Sequence, residues 1–358
     1  MILAFLLIAA TALPAPCTAV SPDCTEWIKL QGQQSRVLVY RTHPLDTRNE
    51  NITHALIFVH GINRDADNHF RTVLAAAFLA GALENTLIVA PRFASNGSAS
   101  GNQSGGCRDA LAPNEANWIC DAQRADTWRS GGAEVVNDGL TSFDYMDEIV
   151  RRVGRKTLFP NLRTIVVAGH SAGGQFVIRY EMSNRVHDVI GVPITYVVSN
   201  PSSYVYVDNM RPTSAAWPPT IAAAAPGFIP PTPLVPPPAF VPYADSNNCT
   251  AFDSWPYGLK SRSGYASRET DDQLRTQLIT RSVTYLLGEA DVLPLGAFDT
   301  SCPAVAQGPT RLARGLAFSR YVTENHGAKH TTVVVPFCSH SARCMFTADV
   351  ALPFIFPQ

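Results

Sequence analysis

A serine, an acid and a histidine, each just past an apolar run, are the residues of this chain best suited to chemistry. Ser171 stands in "TIVVAGHSAGGQ", residues 164–175, where a branched apolar run ends in Gly169-His170-Ser171-Ala172-Gly173. A sharp turn from strand to helix crowds its neighbours, so glycine is needed two residues before and two after. Such a turn holds the serine hydroxyl up at the sheet edge. The helix N-terminus, with the Ala172 N–H, then faces any oxyanion that forms there. A serine hydroxyl is a poor nucleophile until a base takes its proton. The turn therefore predicts a later acid and a still later histidine, each following a strand. "SVTYLLG" at 282–288 is followed by Glu289-Ala290-Asp291, and "TTVVVP" at 331–336 by Phe337-Cys338-Ser339-His340. His340 is the expected general base, and Asp291 the carboxylate that orients it. Glu289 and Asp299 are rivals for the acid, with Asp208 a weaker one. Earlier, Phe58-Val59-His60-Gly61-Ile62-Asn63-Arg64 closes another strand. Gly61 lets the backbone approach a substrate there, and the Ile62 N–H is the expected second oxyanion donor.

These residues need a sheet to bring them together. Apolar runs predict strands over 36–40, 55–59, 86–90, 163–168, 194–199, 281–287 and 331–335. Helical spacing predicts helices over 68–81, 138–153, 172–183 and 310–322. Strand and helix alternate, which implies an α/β fold: a mostly parallel central sheet with helices on both faces. Two segments break the alternation. Residues 94–132 are rich in Gly, Ser and Asn and read as a surface excursion. Residues 212–242 hold eleven prolines, a composition that favours polyproline conformation or ordered loop. The second is read as part of a cap inserted at about 201–270, because elements of the same sheet resume near 281.

Composition sets the surroundings. The chain has 358 residues, 46% hydrophobic and only 16% charged, with net charge −1. No basic stripe marks a nucleic-acid partner. Residues 1–19 read as a secretory signal, an apolar core ending in Cys17-Thr18-Ala19, although no Lys or Arg precedes the core. Past that segment no apolar run is long enough to span a bilayer. The domain is then 20–358. Asn51, Asn96, Asn102 and Asn248 each begin an Asn-x-Ser/Thr acceptor for glycosylation, as in a secreted protein. Eight cysteines fit an oxidising compartment. The expected pairs are Cys107–Cys120, Cys249–Cys302 and Cys338–Cys344. A cut after Ala19 would remove Cys17 and leave one free thiol; otherwise the cut falls earlier.

Several residues have blander readings. His170 is expected to pack under the turn. Trp118, Trp128 and Tyr204 are as suited to core as to an acyl pocket. His326 and His330 lack a third ligand at convincing spacing, so no metal is expected, and no phosphate loop or dinucleotide fingerprint implies a cofactor.

The strings "VHGINRDADNHF", "GHSAGGQ", "LLGEADVLP" and "VPFCSHSARCMF" resemble, in this order, the α/β-hydrolase superfamily of serine esterases and lipases. The resemblance runs from about residue 34 to the C-terminus. It is strongest to secreted fungal and bacterial hydrolases whose oxyanion strand ends in His-Gly-x-x-Arg. It implies Asp291 and His340 as triad partners of Ser171, and ester hydrolysis through an acyl-enzyme on a small-molecule or polymeric ester. The proline-rich stretch after Asn200 departs from the pattern where such enzymes vary their cap. Two other functions fit the same residues. One is a serine peptidase or amidase, which matched ester and amide substrates would reveal. The other is a non-catalytic secreted binding protein, which would resist a fluorophosphonate probe.

Overall fold

Branched apolar side chains suit a pleated surface buried on both faces, and the runs of Val, Ile and Leu in this chain become strands. A computed structural model describes residues 15–96, 107–121, 124–137, 139–213 and 239–357. Its strands are β1 (Thr25–Lys29), β2 (Arg36–Arg41), β3 (His54–Val59), β4 (Thr86–Arg92), β5 (Thr164–His170), β6 (Ile194–Ser199), β7 (Met210–Pro212), β8 (Phe240–Pro242), β9 (Ser282–Gly288) and β10 (Thr331–Val335). Eight of them form one sheet in the order β1-β2-β4-β3-β5-β6-β9-β10, and β7 pairs with β8 apart from it. The pairs β1–β2 and β2–β4 are antiparallel; from β4 to β10 every pair is parallel.

The helices are α1 (Ala66–Leu79), α2 (Ser142–Val153), α3 (Ala172–Ser183), α4 (Asp271–Thr280), α5 (Cys302–Val305), α6 (Arg311–Arg320), α7 (Ala342–Thr347) and α8 (Leu352–Ile355). Successive strand residues point to opposite faces, so each central strand feeds two cores. In β3, Ala55, Ile57 and Val59 share a core with Ile149 of α2, Phe176 of α3 and Phe318 of α6. Leu56 and Phe58 share the other with Phe70 of α1 and Phe346 of α7. The expected α/β fold, helices on both faces of a mostly parallel sheet, is therefore the observed one. Parallel strands deliver their following loops to a single edge, and Ser171, Asp291 and His340 all follow such strands.

Some boundaries move for identifiable reasons. The helix expected from 138 begins at Ser142, because Thr141 and Asp144 cap it reciprocally through side chain and backbone. The helix expected to 322 ends at Arg320 and loosens into a π turn over Tyr321–Asn325. Strand β1 and helix α4 had no expectation. In α4 only Leu274 and Leu278 are buried, too few for a clear period, although Thr270 and Gln273 form a second capping box. Cys107–Cys120, Cys249–Cys302 and Cys338–Cys344 pair as expected. Of the two alternatives for the remaining cysteine, the free thiol is not found: Cys24 is bonded to Cys17, and Cys17 N donates to the Thr42 carbonyl at 2.7 Å. Most of the proline-rich stretch, 214–238, lies outside the described residues, as does Asn102. Asn51, Asn96 and Asn248 are exposed.

Helix α3 is buried along its whole length, and it carries Glu181 inside. Neither carboxyl oxygen has a hydrogen-bond partner among the described residues. Burial pushes its pKa up to about 8, against the opposing charge of Arg281. The unfolded chain releases this proton near the ordinary glutamate value, and the folded chain holds it to about pH 8. Stability therefore falls as pH rises through that window, by at most about 1.4 kcal/mol per unit. Glu181→Gln removes the titration. Its urea midpoint relative to the unmodified chain should shift upward between pH 5 and pH 8; parallel pH dependences for both proteins would contradict the burial argument.

Candidate active site

The turn after β5 is as tight as its glycines imply. A Cβ on Gly169 would meet the Gly173 carbonyl oxygen at 2.4 Å, and one on Gly173 would meet the Val59 oxygen at 2.2 Å. Helix α3 thus starts directly against the end of β3. Ser171 sits between them at φ 58° and ψ −116°, a left-handed conformation that costs a non-glycine residue energy and that functional sites retain. Its own N–H donates to the Ser199 carbonyl at the end of β6, at 2.9 Å.

His340 comes from the loop after β10. Its Nε2 lies 2.9 Å from Ser171 Oγ, and its Nδ1 lies 2.7 Å from Asp291 Oδ2. Asp291 is a carboxylate acceptor and only 2% exposed, so it fixes the imidazole hydrogen on Nδ1 and leaves Nε2 to accept from the serine. Its second oxygen faces Arg311 Nη1 of α6 at 3.4 Å, and Arg311 is fully buried. The loops bearing the acid and the base are tied together. Ala290 N donates to the Cys338 carbonyl at 2.9 Å and Glu289 N to the Val335 carbonyl at 3.1 Å. The Cys338–Cys344 bridge brackets His340, and Ser341 caps α7 just behind it.

The end of β3 is held as firmly. His60 is fully buried, and burial lowers its pKa to about 3, so the ring is neutral. Its Nε2 accepts from Phe93 N at 2.9 Å, which puts the hydrogen on Nδ1 for donation to the Gly61 carbonyl, also at 2.9 Å. Arg64 N donates to the same carbonyl at 3.1 Å. That carbonyl and the Ile62 N–H belong to one peptide unit, so fixing one aims the other. Arg64 also grips the Ile62 carbonyl at 2.6 Å while its guanidinium pairs with Asp109 at 2.6 and 3.2 Å. The Gly61 N–H is already committed to His69 Nε2 at 3.2 Å. Neither the Ile62 nor the Ala172 N–H donates to a group among the described residues. A Cβ on Gly61 would lie 3.9 Å from the His170 carbonyl oxygen, so the loop after β3 passes beside the turn that carries Ser171.

Residues 56–351, which run from β3 past β10 and include all these loops but not β1 and β2, match the Alpha/beta hydrolase family. The chain belongs to that family. Among solved structures, this α/β hydrolase resembles the poly(3-hydroxybutyrate) depolymerase LpqC from Bordetella parapertussis. That likeness has a TM-score of 0.55 and 18% identity over 90% of this chain and 85% of the other. It also resembles poly(aspartic acid) hydrolase-1 from Sphingomonas sp. KT-1, with a TM-score of 0.51 and 20% identity over 90% and 95%. Both are likenesses of fold. No curated protein matches by sequence.

Other expected residues of the hydrolase lie elsewhere. Glu289 accepts from Phe337 N at 2.9 Å, Asp299 from Tyr257 at 2.8 Å, and Asp208 faces His326 at 3.4 Å; none of these bonds involves His340. His330 Nδ1 meets the Tyr285 hydroxyl at 2.9 Å. His170 packs under the turn, its Nδ1 3.1 Å from Ser199 Oγ and its pKa held far down by burial. Trp118, Trp128 and Tyr204 are core, fully buried. Two positioning residues escaped sequence reasoning, Arg311 and Asn200. Asn200 has φ 44°; its Oδ1 accepts from Gly288 N at 2.8 Å and its Nδ2 donates to the Ser339 carbonyl at 3.3 Å. It stitches β6 to both the acid loop and the histidine loop. An asparagine directly after a buried strand is the one signal that pointed to it, because Asn tolerates the left-handed region.

Proposed function

We propose that this protein is a secreted serine hydrolase that cleaves carboxylic esters through Ser171, His340 and Asp291. The reading rests on one juxtaposition, His340 in hydrogen-bond reach of both Ser171 Oγ and a buried Asp291. Ser171 Oγ bonds to the ester carbonyl carbon as His340 Nε2 takes its proton. The Ala172 and Ile62 amides hold the tetrahedral oxyanion. Collapse breaks the bond to the alkoxy oxygen, which leaves as alcohol with the proton from His340. Water then attacks the acyl-enzyme with His340 as base, and the acid departs as Ser171 regains its hydrogen. Asp291 orients the imidazole and stabilises its charged form.

Secretion is supported by four bridges and by exposed Asn51, Asn96 and Asn248 as glycosylation sites, with Asn102 as a fourth. No helix among the described residues is long and apolar enough to cross a membrane. We place the signal cut upstream of Cys17, because a cut after Ala19 would sever the Cys17–Cys24 bridge. The rest is one catalytic domain with a cap at about 201–270.

The test pairs a probe with two substrates. A fluorophosphonate should label Ser171, and the protein should hydrolyse p-nitrophenyl acetate faster than p-nitroacetanilide by about 10³-fold or more. Labelling with equal amide and ester rates would make it an amidase. Failure to label Ser171 in folded protein would leave a binding protein.

A further inference from the structure

Close to the nucleophile lies a buried cationic cluster that the mechanism does not use. Arg129, in the short turn Trp128–Ser130, and Arg179, in α3, are 8% and 2% exposed. Arg129 Nη1 donates to Gln175 Oε1 at 3.2 Å, and Nε reaches Thr127 Oγ1 at 3.4 Å. Arg179 donates to Ser203 Oγ at 3.1 Å and to the Pro256 carbonyl at 3.3 Å. Every one of these acceptors is neutral. Among the described residues no carboxylate forms an ion pair with either guanidinium. Asp299 lines the same cleft, but its oxygens accept from Tyr257 at 2.8 Å, Ser301 N at 3.0 Å and Ser301 Oγ at 2.6 Å. Arg124, also in the lining, is paired with Asp126 at 2.6 Å.

Buried charges are ordinarily paired, because desolvating a lone ion costs several kcal/mol. Here two like charges share one cleft with a single carboxylate, Asp299, unpaired among the described residues, and burial together with the charge of Arg129 lowers the pKa of Arg179 to about 9 against the opposing charge of Asp299. An arrangement that breaks the pairing rule is expected where function requires it. The space between the residues is small, about 10 Å³, the room that one water takes, so a carboxylate oxygen would enter by replacing that water. Its place relative to Ser171 follows from helix geometry. Gln175 stands one turn beyond the serine, about 6 Å along α3, and Arg179 a second turn, about 12 Å. Side chains on a helix lean toward its N-terminus, here toward the serine.

We propose that Arg129 and Arg179 form a carboxylate-binding subsite for the free acid end of a substrate whose ester carbonyl sits at Ser171. The favoured substrates are then half-esters of dicarboxylic acids. This substrate class rests on the esterase reading above; the binding of a carboxylate does not. The decisive comparison is monoethyl adipate against ethyl hexanoate, which share a six-carbon acyl chain and differ in one terminal carboxylate. Charge-assisted bonds imply a kcat/KM ratio of about 10- to 100-fold in favour of the half-ester. Gln175→Glu places a carboxylate beside Arg129 and should collapse the ratio to about 1; Arg179→Gln should lower it as well. Free adipate, which has no scissile bond, should raise the Tm of the unmodified protein and not that of Gln175→Glu. A ratio near 1 in the unmodified protein, or one unchanged in Gln175→Glu, overturns the subsite. If ethyl hexanoate is hydrolysed and adipate is neither preferred nor stabilising, the subsite fails and the esterase stands. If adipate raises the Tm and neither ester is cleaved, the subsite stands and the esterase fails.

Discussion

Ser171→Ala is expected to lower kcat/KM on p-nitrophenyl acetate by about 10⁴-fold or more while leaving the fold intact. The substitution removes one oxygen. Alanine at φ 58° carries the same backbone strain as serine, and the N–H that donates to the Ser199 carbonyl stays in place. The oxyanion amides also remain, so a residual rate above background should persist. Lost is the atom proposed to form the acyl bond, the hydroxyl oxygen 2.9 Å from His340 Nε2. Purified variant with an unchanged Tm and near-normal turnover would show that the reaction runs through another group. A variant that unfolds would be replaced by Ser171→Gly, which also lacks the nucleophilic oxygen and adopts φ 58° without strain.

Much of this site was legible in the sequence because each part follows a strand of the parallel sheet, buried on both faces in β3, β5 and most of β9 and half-buried at the edge in β10. Such strands read as plain apolar runs, and a parallel sheet sends all their loops to one edge. Order along the chain and distance from each run were then enough to mark Ser171, Asp291 and His340 for comparison. Glycine spacing added a steric argument that the Gly169 and Gly173 contacts make concrete. Arg311 was not legible. An arginine in an amphipathic helix reads as solvent-facing, and only the packing of α6 against the acid loop buries it. Strand β1 was missed because it is short, mixed in polarity and at the sheet edge, so its pairing with β2 is tertiary information. The partner of Cys24 was hidden for another reason. Deciding where the signal segment ends also decides which cysteines exist, and connectivity cannot be deduced from spacing. The cationic cleft was equally invisible, since Arg129, Gln175, Arg179 and Ser203 come from three separate segments.

Asp291→Asn should lower kcat by about 10³- to 10⁴-fold with a much smaller change in KM, and Arg311 gives the reason. An asparagine has one acceptor oxygen and one NH₂ group where the aspartate has two acceptors. Arg311 Nη1 can only donate, and at 3.4 Å from Oδ1 it favours the amide oxygen on its own side. The NH₂ group is then turned toward His340. Imidazole Nδ1 must accept from it, the ring hydrogen moves to Nε2, and the nitrogen facing Ser171 can no longer take the serine proton. The loss thus comes from a reversed tautomer rather than from a missing charge alone. Glu289→Gln and Asp299→Asn, made on carboxylates that do not bond to His340, should each stay within about 10-fold of the unmodified enzyme. A split of this kind in kcat, measured on one soluble ester with all three variants folded, assigns the acid. A loss at Asp299→Asn equal to that at Asp291→Asn would mean that the imidazole turns to a different partner during the reaction.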